Sequence, residues 1–422
     1  MSILGRLFRR GVRADSSASP ADDYYYQPSS AGGIAQSGSF VTGDTAMRVA
    51  AVYACVRVLA ETLAMLPISV YRQTPDGRFP AKDHALWALL SQTPNAMQTA
   101  YEFKSMMMAH LALRGNAYAQ IVADGAGTIT ALLPMHPDKM RVYRMNDGSL
   151  QYRYINPWTG LTQVLLAADV LHLRGLSMDG IIGLSPVALA RETFGGALAA
   201  QDWANRMYAN NATPGGVLEI PGKIDEASAK RVKTDWQAKF TGMEQHKIAV
   251  LDQGAKFTPI SITPEDMQFL QTRQFMATDI ARIFRVQPHK IGIMDRATHS
   301  NIEHQGIEFV QDTMLPWITN WEQAIQRDLM TPQESTTLSV SFDVDALLRG
   351  DTPSRYAAYA VGRQWGWLSA NDIRKRELMD PIDGGDEYLR PLNMVDATGK
   401  PPPPGNAPAT PPKPSADPAG DA

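Results

Sequence analysis

The chain has 422 residues, 44% of them hydrophobic, which is enough to bury the cores of two or three domains. Its formal net charge of −3 gives no basic field for holding phosphates, which argues against tight, static DNA binding. The single cysteine, Cys55, excludes a disulfide framework and a multi-cysteine zinc site. No window reaches the ~18 to 20 continuous apolar residues of a membrane span, so we expect no membrane contact.

Both ends of the chain lack the apolar periodicity of folded elements. Residues 1–44 are rich in Ser, Ala, Gly and Asp, apart from an isolated run of tyrosines, Tyr24–Tyr26. Residues 396–422 are dominated by Pro, Ala and Gly and include the run Pro401–Pro404. We predict a flexible N-terminal arm and a disordered C-terminal tail.

The first folded region is predicted to combine helices with a β-rich stretch. Apolar residues three and four apart predict a helix over Val49–Leu66, which ends at Pro67. A short hairpin turns at Asp76-Gly77, and a second helix over Ala100–Leu113 ends at Gly115. Further strands, separated by Gly, Asp and Pro, are predicted at Ala117–Val122, Ile129–Leu133, Met140–Met145, Gln151–Ile155 and Val170–Leu173. This pattern indicates an α+β domain.

Two long helices are predicted on either side of a small insert. Ser185 caps a helix that begins at Pro186 and continues to about Asn210. A stripe of mostly small or apolar side chains follows its heptad-like spacing: Val187, Ala190, Phe194, Ala197, Gln201, Ala204 and Tyr208. A second long helix begins at Thr263-Pro264 and continues toward Val286. The small residues permit close helix packing, and residues 213–263 between the helices are predicted to form a compact α+β unit.

A third long helix is predicted over Ser300–Met330, after a polar loop at Gly292–His299. Pro316 lies inside this helix, where it removes a backbone hydrogen bond and clashes with the preceding turn, so we predict a kink. Two short helices, Pro353–Gly362 and Ala370–Leu378, complete the predicted elements, the second with a capping box at its start.

Catalytic and metal sites find little support in the sequence. His299 and His304 flank Glu303, but they are five positions apart, one more than the spacing that places two ligands on one helical face. Ser185 lacks the second glycine of a nucleophile elbow and is better explained as a helix cap. The chain has no phosphate-binding loop of an ATP-driven motor. We therefore expect no enzyme activity, no cofactor and no metal.

Several segments, taken in order, resemble the portal family of long-tailed phages over residues 45–395. They are Ala51–Glu61, Leu66–Tyr71, Leu113–Tyr118, Gly183–Pro186, Pro288–Glu303, Leu315–Trp317 with Glu322, and Leu368–Arg374 with Pro381 and Gly384–Asp386. Each segment alone is weakly specific, and the order in which they occur carries the resemblance.

The resemblance implies an α+β portal fold with an α/β wing, a two-helix stem, a small α+β clip, a long kinked helix and a short helical crown. In chain order the implied parts are the arm (1–44), wing (45–183), stem helix (184–212), clip (213–263), stem helix (264–291), tunnel loop (292–299), wing with the kinked helix (300–349), crown (350–395) and tail (396–422).

The resemblance also implies a structural function. Such subunits form dodecameric rings at one capsid vertex, assembled in the host cytoplasm, through which DNA is packaged and ejected. The implied partners are other copies of the chain, double-stranded DNA, the terminase large subunit, a head-tail adaptor and the major capsid protein. Two alternatives remain open: another ring protein of the head-tail connection, and an unrecognised hydrolase.

Contact with DNA is expected to be weak, because a channel for moving DNA must not hold phosphates tightly. The tunnel-loop residues concerned are Asp295, Arg296, Ala297, Thr298, His299 and Ser300. The alternative is that these side chains only cap and solvate a turn. Trp317, Trp321 and Trp365 could stack on bases, although helical spacing favours packing for the first two.

Overall fold

Contacts along the backbone divide the chain into two units, Met1–Ala346 and Leu347–Ala422, and each is described by itself. The structure, a computed structural model, describes residues 24–26, 32–75, 77–209, 217–219, 226–227, 230, 234, 256–258, 264–293, 302–344, 347, 352–377 and 379–389.

The first half of the first unit follows the apolar pattern of the sequence. In chain order its elements are β1 (Tyr24–Tyr26), β2 (Gly33–Ile34), β3 (Phe40–Val41), α1 (Gly43–Ala46), α2 (Ala50–Met65), β4 (Ile68–Thr74), β5 (Gly77–Pro80), α3 (Ala85–Ser91), α4 (Ala100–Arg114), β6 (Asn116–Ala123), β7 (Ile129–Met135), β8 (Met140–Arg144), β9 (Leu150–Ile155), β10 (Thr162–Leu166) and β11 (Val170–Arg174). The predicted helices α2 and α4 and the pairing of β4 with β5 are confirmed. Strand β10 was not predicted, because only Leu165 of its five residues is buried.

The rest of the first unit is mainly helical. Its elements are α5 (Pro186–Leu189), α6 (Arg191–Ala209), β12 (Val217–Glu219), β13 (Lys256–Thr258), α7 (Pro264–Ile283), α8 (Ile302–Glu308), a π-helical segment (Phe309–Met314), α9 (Leu315–Leu329), α10 (Glu334–Thr337) and β14 (Leu338–Phe342). β12 and β13 form an antiparallel pair. Most other residues of the predicted insert, 213–263, lie outside the described residues.

The second unit contains the two predicted short helices, α11 (Thr352–Gln364) and α12 (Ala370–Arg376). The capping box of α12 is confirmed: the Ser369 hydroxyl accepts from Asp372 N at 3.0 Å, and the Asp372 carboxylate accepts from Ser369 N at 2.9 Å. In the part of the chain that the structure describes, no helix combines the length and the apolar content needed to cross a membrane.

Three antiparallel sheets of three or four strands and the packed helices α2 and α4 form the core of the first half of the first unit. The strand orders are β1-β8-β9-β10, β11-β6-β7 and β14-β4-β5. One core cluster gathers side chains from the first two sheets, including Tyr118, Met140, Tyr152 and Val170. Helices α2 and α4 pack on each other, and the buried Lys104 ammonium donates to the carbonyl of Leu66 at 2.7 Å. The α+β character predicted for this region is therefore observed.

Part of the predicted arm is folded, which corrects that prediction for residues 24–26 and 32–44. Strands β2 and β3 pair as a short hairpin beside the start of α6. Gln36 N donates to the Glu192 carboxylate at 2.9 Å, and Gly195 allows the close approach, because a Cβ there would overlap Ala35. The surface that orders this segment is about 150 residues away along the chain. Local sequence therefore carries no sign of it.

The prediction of one continuous helix from Ser185 to Asn210 is wrong, because the helix is interrupted at Ala190. Ala190 leaves the helical conformation, with φ −96° and ψ 31°, between α5 and α6. The two pieces have different neighbours, since α5 packs on α4 whereas α6 packs on α7 and the β2–β3 hairpin. We attribute the break to these two surfaces, which hold the helix axis in two directions.

A buried histidine joins the two sheets of the core. His172 stacks on Tyr118 with ring centroids 4.3 Å apart. Its Nδ1 lies 3.1 Å from the Tyr152 hydroxyl and its Nε2 lies 3.0 Å from the Asn116 side-chain oxygen. Since the amide oxygen can only accept, the neutral ring donates from Nε2 and accepts at Nδ1. Burial lowers the pKa of His172 well below its usual value, and burial also lowers the pKa of His110 to about 3.

These histidines predict a loss of stability in mild acid. A histidine whose pKa is lower in the folded chain contributes stability that is complete above the unfolded pKa of about 6.5 and is lost as the pH falls below it. Each such histidine should lower the free energy of unfolding by about 1.4 kcal/mol per pH unit below that value. Urea unfolding of the wild type and of His172→Gln at several pH values tests this. The variant should show a shallower pH dependence, and parallel curves would contradict the assignment.

Candidate functional site

Two of the segments that carry the family resemblance meet in space. Gly115 ends α4 in a left-handed conformation, with φ 69°, and a Cβ there would overlap the backbone carbonyl of Leu184. A Cβ at Gly183 would in turn overlap the carbonyl oxygen of Gly115. The two backbones therefore touch where the sheet region leads into α5 and α6. We call this contact the glycine junction, defined by Gly115 and Gly183.

Side chains on either side lock the glycine junction. The Asn116 amide accepts from Gly183 N at 2.8 Å and donates to Gly183 O at 2.6 Å, so it binds the opposite backbone like a paired strand. The buried Ser185 hydroxyl donates to Leu113 O at 2.9 Å and accepts from Ala188 N at 3.2 Å. Ser185 is thus the helix cap predicted from the sequence. These bonds fix the starting point and direction of α5.

Helices α6 and α7 pack against each other beyond the junction. Phe194 on α6 meets Phe284, just after α7, edge to face with ring centroids 6.1 Å apart. Gly196 faces Met276, since a Cβ there would lie 3.8 Å from the Met276 Cε. Ile280 on α7 is fully buried. A Cβ at Gly196 would make only ordinary van der Waals contact with this flexible side chain, so the packing of the two helices is carried by the buried residues Phe194, Ile280 and Phe284.

The predicted stripe on the first stem helix divides among three environments. Val187, Phe194, Ala197 and Ala204 are buried within the chain itself, whereas Ala190 is part-buried at the helix break. The side chain of Tyr208 lies outside the described residues. Whether the stripe also packs against other copies of the chain stays a prediction.

Helix α7 ends earlier than predicted, at Ile283, in a Schellman motif. Val286 N donates to Ala281 O at 2.9 Å and Arg285 N donates to Arg282 O at 3.0 Å. Arg285 has a positive φ of 56°, a conformation that costs a residue with a Cβ about 1–2 kcal/mol. Leaving the helical conformation at this point turns the chain into the 3₁₀ turn Pro288–Ile291.

The predicted kink at Pro316 corresponds to an irregular segment just before it. The π-helical turn Phe309–Met314 precedes α9, and Pro316 lies in the first turn of α9. A wider turn relieves the clash that the proline ring makes with the preceding carbonyls. The π segment also reaches α7, because the buried Thr313 hydroxyl donates to Arg285 O at 2.7 Å. Both sides of the predicted tunnel loop are therefore tied together.

The predicted DNA-contact residues Asp295, Arg296, Ala297, Thr298, His299 and Ser300 lie outside the described residues. The side chains of Glu303 and His304 do as well. Among the side chains that the structure does describe, no three His, Cys, Asp or Glu residues gather as metal ligands. Trp321 is buried in the core, whereas Trp365 is exposed.

The hydrogen bond between the buried side chains of Asn116 and His172 was not predicted from the sequence. The available signal was polarity inside an otherwise apolar strand, since Asn116 opens β6 and His172 lies in the middle of β11. These strands pair antiparallel, with His172 opposite Tyr118. Neither residue can be recognised as a partner of the other until the strand register is known.

Substitutions at the glycine junction test its rigidity. Gly115→Ala and the control Gly180→Ala place a Cβ on backbones with nearly the same φ, 69° and 73°, but only Gly115 has a carbonyl in the way. Gly180→Ala should fold with a loss of about 1 kcal/mol. Gly115→Ala should lose more than about 4 kcal/mol or fail to accumulate as soluble protein. Urea unfolding and soluble yield measure this, and equal losses in both variants would refute the clash.

Comparison with known proteins relates this architecture to one family. The family model for phage portal protein matches residues 50–377. The probable portal protein of Streptomyces phage phiC31 is 34% identical over 393 residues, covering 90% of this chain and 86% of that protein. The portal protein of Enterobacteria phage HK97 is 30% identical over 367 residues, covering 85% of each chain.

A solved structure shares the fold. A chain from the neck of a native gene transfer agent particle, computed with twelvefold cyclic symmetry, superposes with a TM-score of 0.56 at 23% identity. The match covers 81% of this chain and 94% of that one. The family match includes both segments of the glycine junction, the helix pair and the π segment. The chain belongs to the phage portal protein family.

Proposed function

We propose that the chain forms the ring at the unique vertex of a virus-like capsid, the channel through which DNA enters and leaves. The observation that carries the proposal is the family match over residues 50–377, joined to a portal-like fold. The role is structural and is performed by shape, not by catalysis. A ring built from one kind of subunit needs two different side surfaces that are complementary to each other, and a hole wide enough for a duplex.

Ring formation is supported by apolar side chains that the single chain leaves exposed on its helices. Phe275 on α7 exposes 62% of its surface and Leu189 on α5 exposes 65%. Large apolar side chains exposed on helices are typical anchors of a protein interface. The structurally similar neck chain comes from a particle computed with twelvefold symmetry. We propose the same number of subunits for this chain.

The parts of the ring take distinct roles in this proposal. The wing is formed by residues 45–183 and 300–349, the stem by residues 184–212 and 264–291, and the crown by residues 350–395. The clip, residues 213–263, docks the terminase large subunit during packaging and a head-tail adaptor afterwards. The ring sits in a shell of the major capsid protein. The tunnel loop, residues 292–299, faces the DNA.

Weak contact with DNA follows from charge. Each Lys or Arg paired with a phosphate adds a salt-dependent hold on the duplex, and a moving duplex would have to break it at every step. The net charge of −3 over 422 residues provides no excess of such pairs. We propose that Asp295, Arg296, Thr298 and His299 touch DNA without binding it tightly.

A charged substitution at an exposed position of α7 tests the proposed ring interface. Phe275→Glu should prevent or reduce ring formation, because an unpaired carboxylate is costly to bury between subunits. Met97→Glu, at an exposed methionine outside the stem helices, is the matched control and should assemble like the wild type. Native mass spectrometry with negative-stain images reads out the ring. Normal rings from Phe275→Glu would remove α7 from the interface.

The tunnel loop is tested by replacing residues 294–299 with a Gly-Ser linker of equal length. Rings should form normally, since the change leaves the stem helices intact. DNA packaged and retained per particle should fall severalfold, because the proposed contacts with the duplex are lost. Unchanged packaging would show that these side chains only cap and solvate a turn.

A further inference from the structure

Aromatic side chains stand exposed on the second unit, at the turn that follows α11. Trp365, Trp367 and Tyr388 expose 55%, 58% and 58% of their surfaces. Aromatic residues of this size usually bury most of their surface, and a cluster of them on a unit of this length is a candidate binding surface. We call these three residues the aromatic patch.

The fold holds the aromatic patch in place before any ligand arrives. Gly366 lies between the two tryptophans with φ 75°, and a Cβ there would overlap the carbonyl of Leu389. The segment that carries Tyr388 is thereby brought against the tryptophan turn. The Tyr388 hydroxyl donates to the Asp372 carboxylate at 3.0 Å. Binding would therefore cost little ordering of the site.

The charges around the patch argue against a phosphate ligand. The segment Met379–Leu389 carries four acidic residues, Asp380, Asp383, Asp386 and Glu387, and no Lys or Arg. Two arginines contact it, and both already donate to its backbone carbonyls: Arg363 to Glu387 O and Arg374 to Asp380 O. Acidic groups are therefore in excess around the patch. A nucleic acid would meet repulsion there, although aromatic rings alone could stack on bases. The ligand that fits is uncharged, apolar and flat-sided.

A proline-rich segment has these properties. Proline rings pack on aromatic faces in a preformed extended helix, so little conformational entropy is lost on binding. Proline has no backbone N–H to leave unpaired, and its carbonyls can accept from the indole N–H groups of tryptophan. Aromatic-lined surfaces with exposed tryptophan are the usual partners of such segments.

The chain supplies such a segment close to the patch. Pro401–Pro404 follows Leu389 after residues 390–400, and five further prolines lie before residue 419. A random-coil chain of eleven residues spans about 18 Å on average, and one that is fully extended spans up to about 36 Å. The tethered segment is present at an effective concentration of about 1 mM, so even weak docking fills the site.

We propose that the aromatic patch binds the Pro401–Pro404 segment of the same subunit. Docking covers apolar surface on the second unit and fixes the path of the tail. The proposal does not depend on ring formation, because the site and its ligand belong to one chain.

A fluorescent label on the tail tests the proposal in the full-length protein. Gly405→Cys provides a labelling site for bimane, whose emission tryptophan quenches on contact. The native Cys55 is fully buried and burial raises the pKa of its thiol to about 12, so it should not react. Trp365→Ala and Trp367→Ala should each raise bimane emission, by about twofold if the site is half occupied or more at about 1 mM effective concentration.

Matched variants separate docking from chance contact. Trp158→Ala removes an exposed tryptophan of the first unit and should leave the emission unchanged. Replacing Pro401, Pro402, Pro403 and Pro404 together by serine should restore emission to the level of the patch variants. Emission that is the same in all variants would overturn the proposal. Quenching that disappears when labelled chains are diluted into unlabelled Trp365→Ala chains would assign the segment to a neighbouring subunit and overturn it as stated.

Discussion

The glycine junction is the constraint on which the rest of the first unit depends. At this point the two backbones lie so close that a Cβ on either glycine would overlap the opposite backbone. The Asn116 side-chain amide bonds to both the N–H and the carbonyl of Gly183. Backbone contact leaves no rotamer freedom, so the angle between the sheet region and α5 has one value. The buried His172 extends the same hydrogen-bonded network into the sheet through Asn116. The network thereby connects the sheet region to the start of α5 through side-chain hydrogen bonds of His172, Asn116 and Ser185.

Irregular backbone is concentrated where the long helices approach the predicted tunnel loop. A positive φ at Arg285, the π segment Phe309–Met314 and the bond from Thr313 to Arg285 all lie within a short distance of each other in the fold. Non-ideal turns of this kind persist only when the surroundings fix them, and they are frequent at functional sites. Their position beside the predicted loop agrees with a role in setting where that loop begins and ends.

The sequence predicts the elements whose stability is local and misses those made by distant partners. Helix α2 could be predicted from the spacing of Val52, Val56, Leu59 and Leu63, and the end of α4 from Gly115. Both signals, periodicity and capping, lie in residues that are neighbours along the chain. The β2–β3 hairpin has no such pattern, since its order comes from contact with Gly195 far along the chain. The break at Ala190 arises in the same way, from two packing surfaces that only the folded chain brings together.

The candidate site divides along the same line. Ser185 could be identified as a cap from two adjacent residues, whereas the reason for Gly115 and Gly183 is visible only when their backbones touch. The stripe from Val187 to Ala204 was predicted from its spacing. Spacing does not show whether the stripe packs against α7 of the same chain or against a helix of an adjacent subunit. Within one chain several of its members are already buried, and the exposed Phe275 lies on the other helix.

In the proposed ring, a rigid junction would control how the subunits close on each other. In the proposed ring of twelve subunits, each copy would be rotated by about 30° from the last, and an orientation error of about 2.5° repeated at every interface would amount to one whole subunit position. Side-chain packing alone tolerates shifts of that size, because rotamers adjust. Contact between two glycine backbones does not. If the helices beyond the junction form the ring interface, the junction sets the direction of α5, on which closure of the ring then depends.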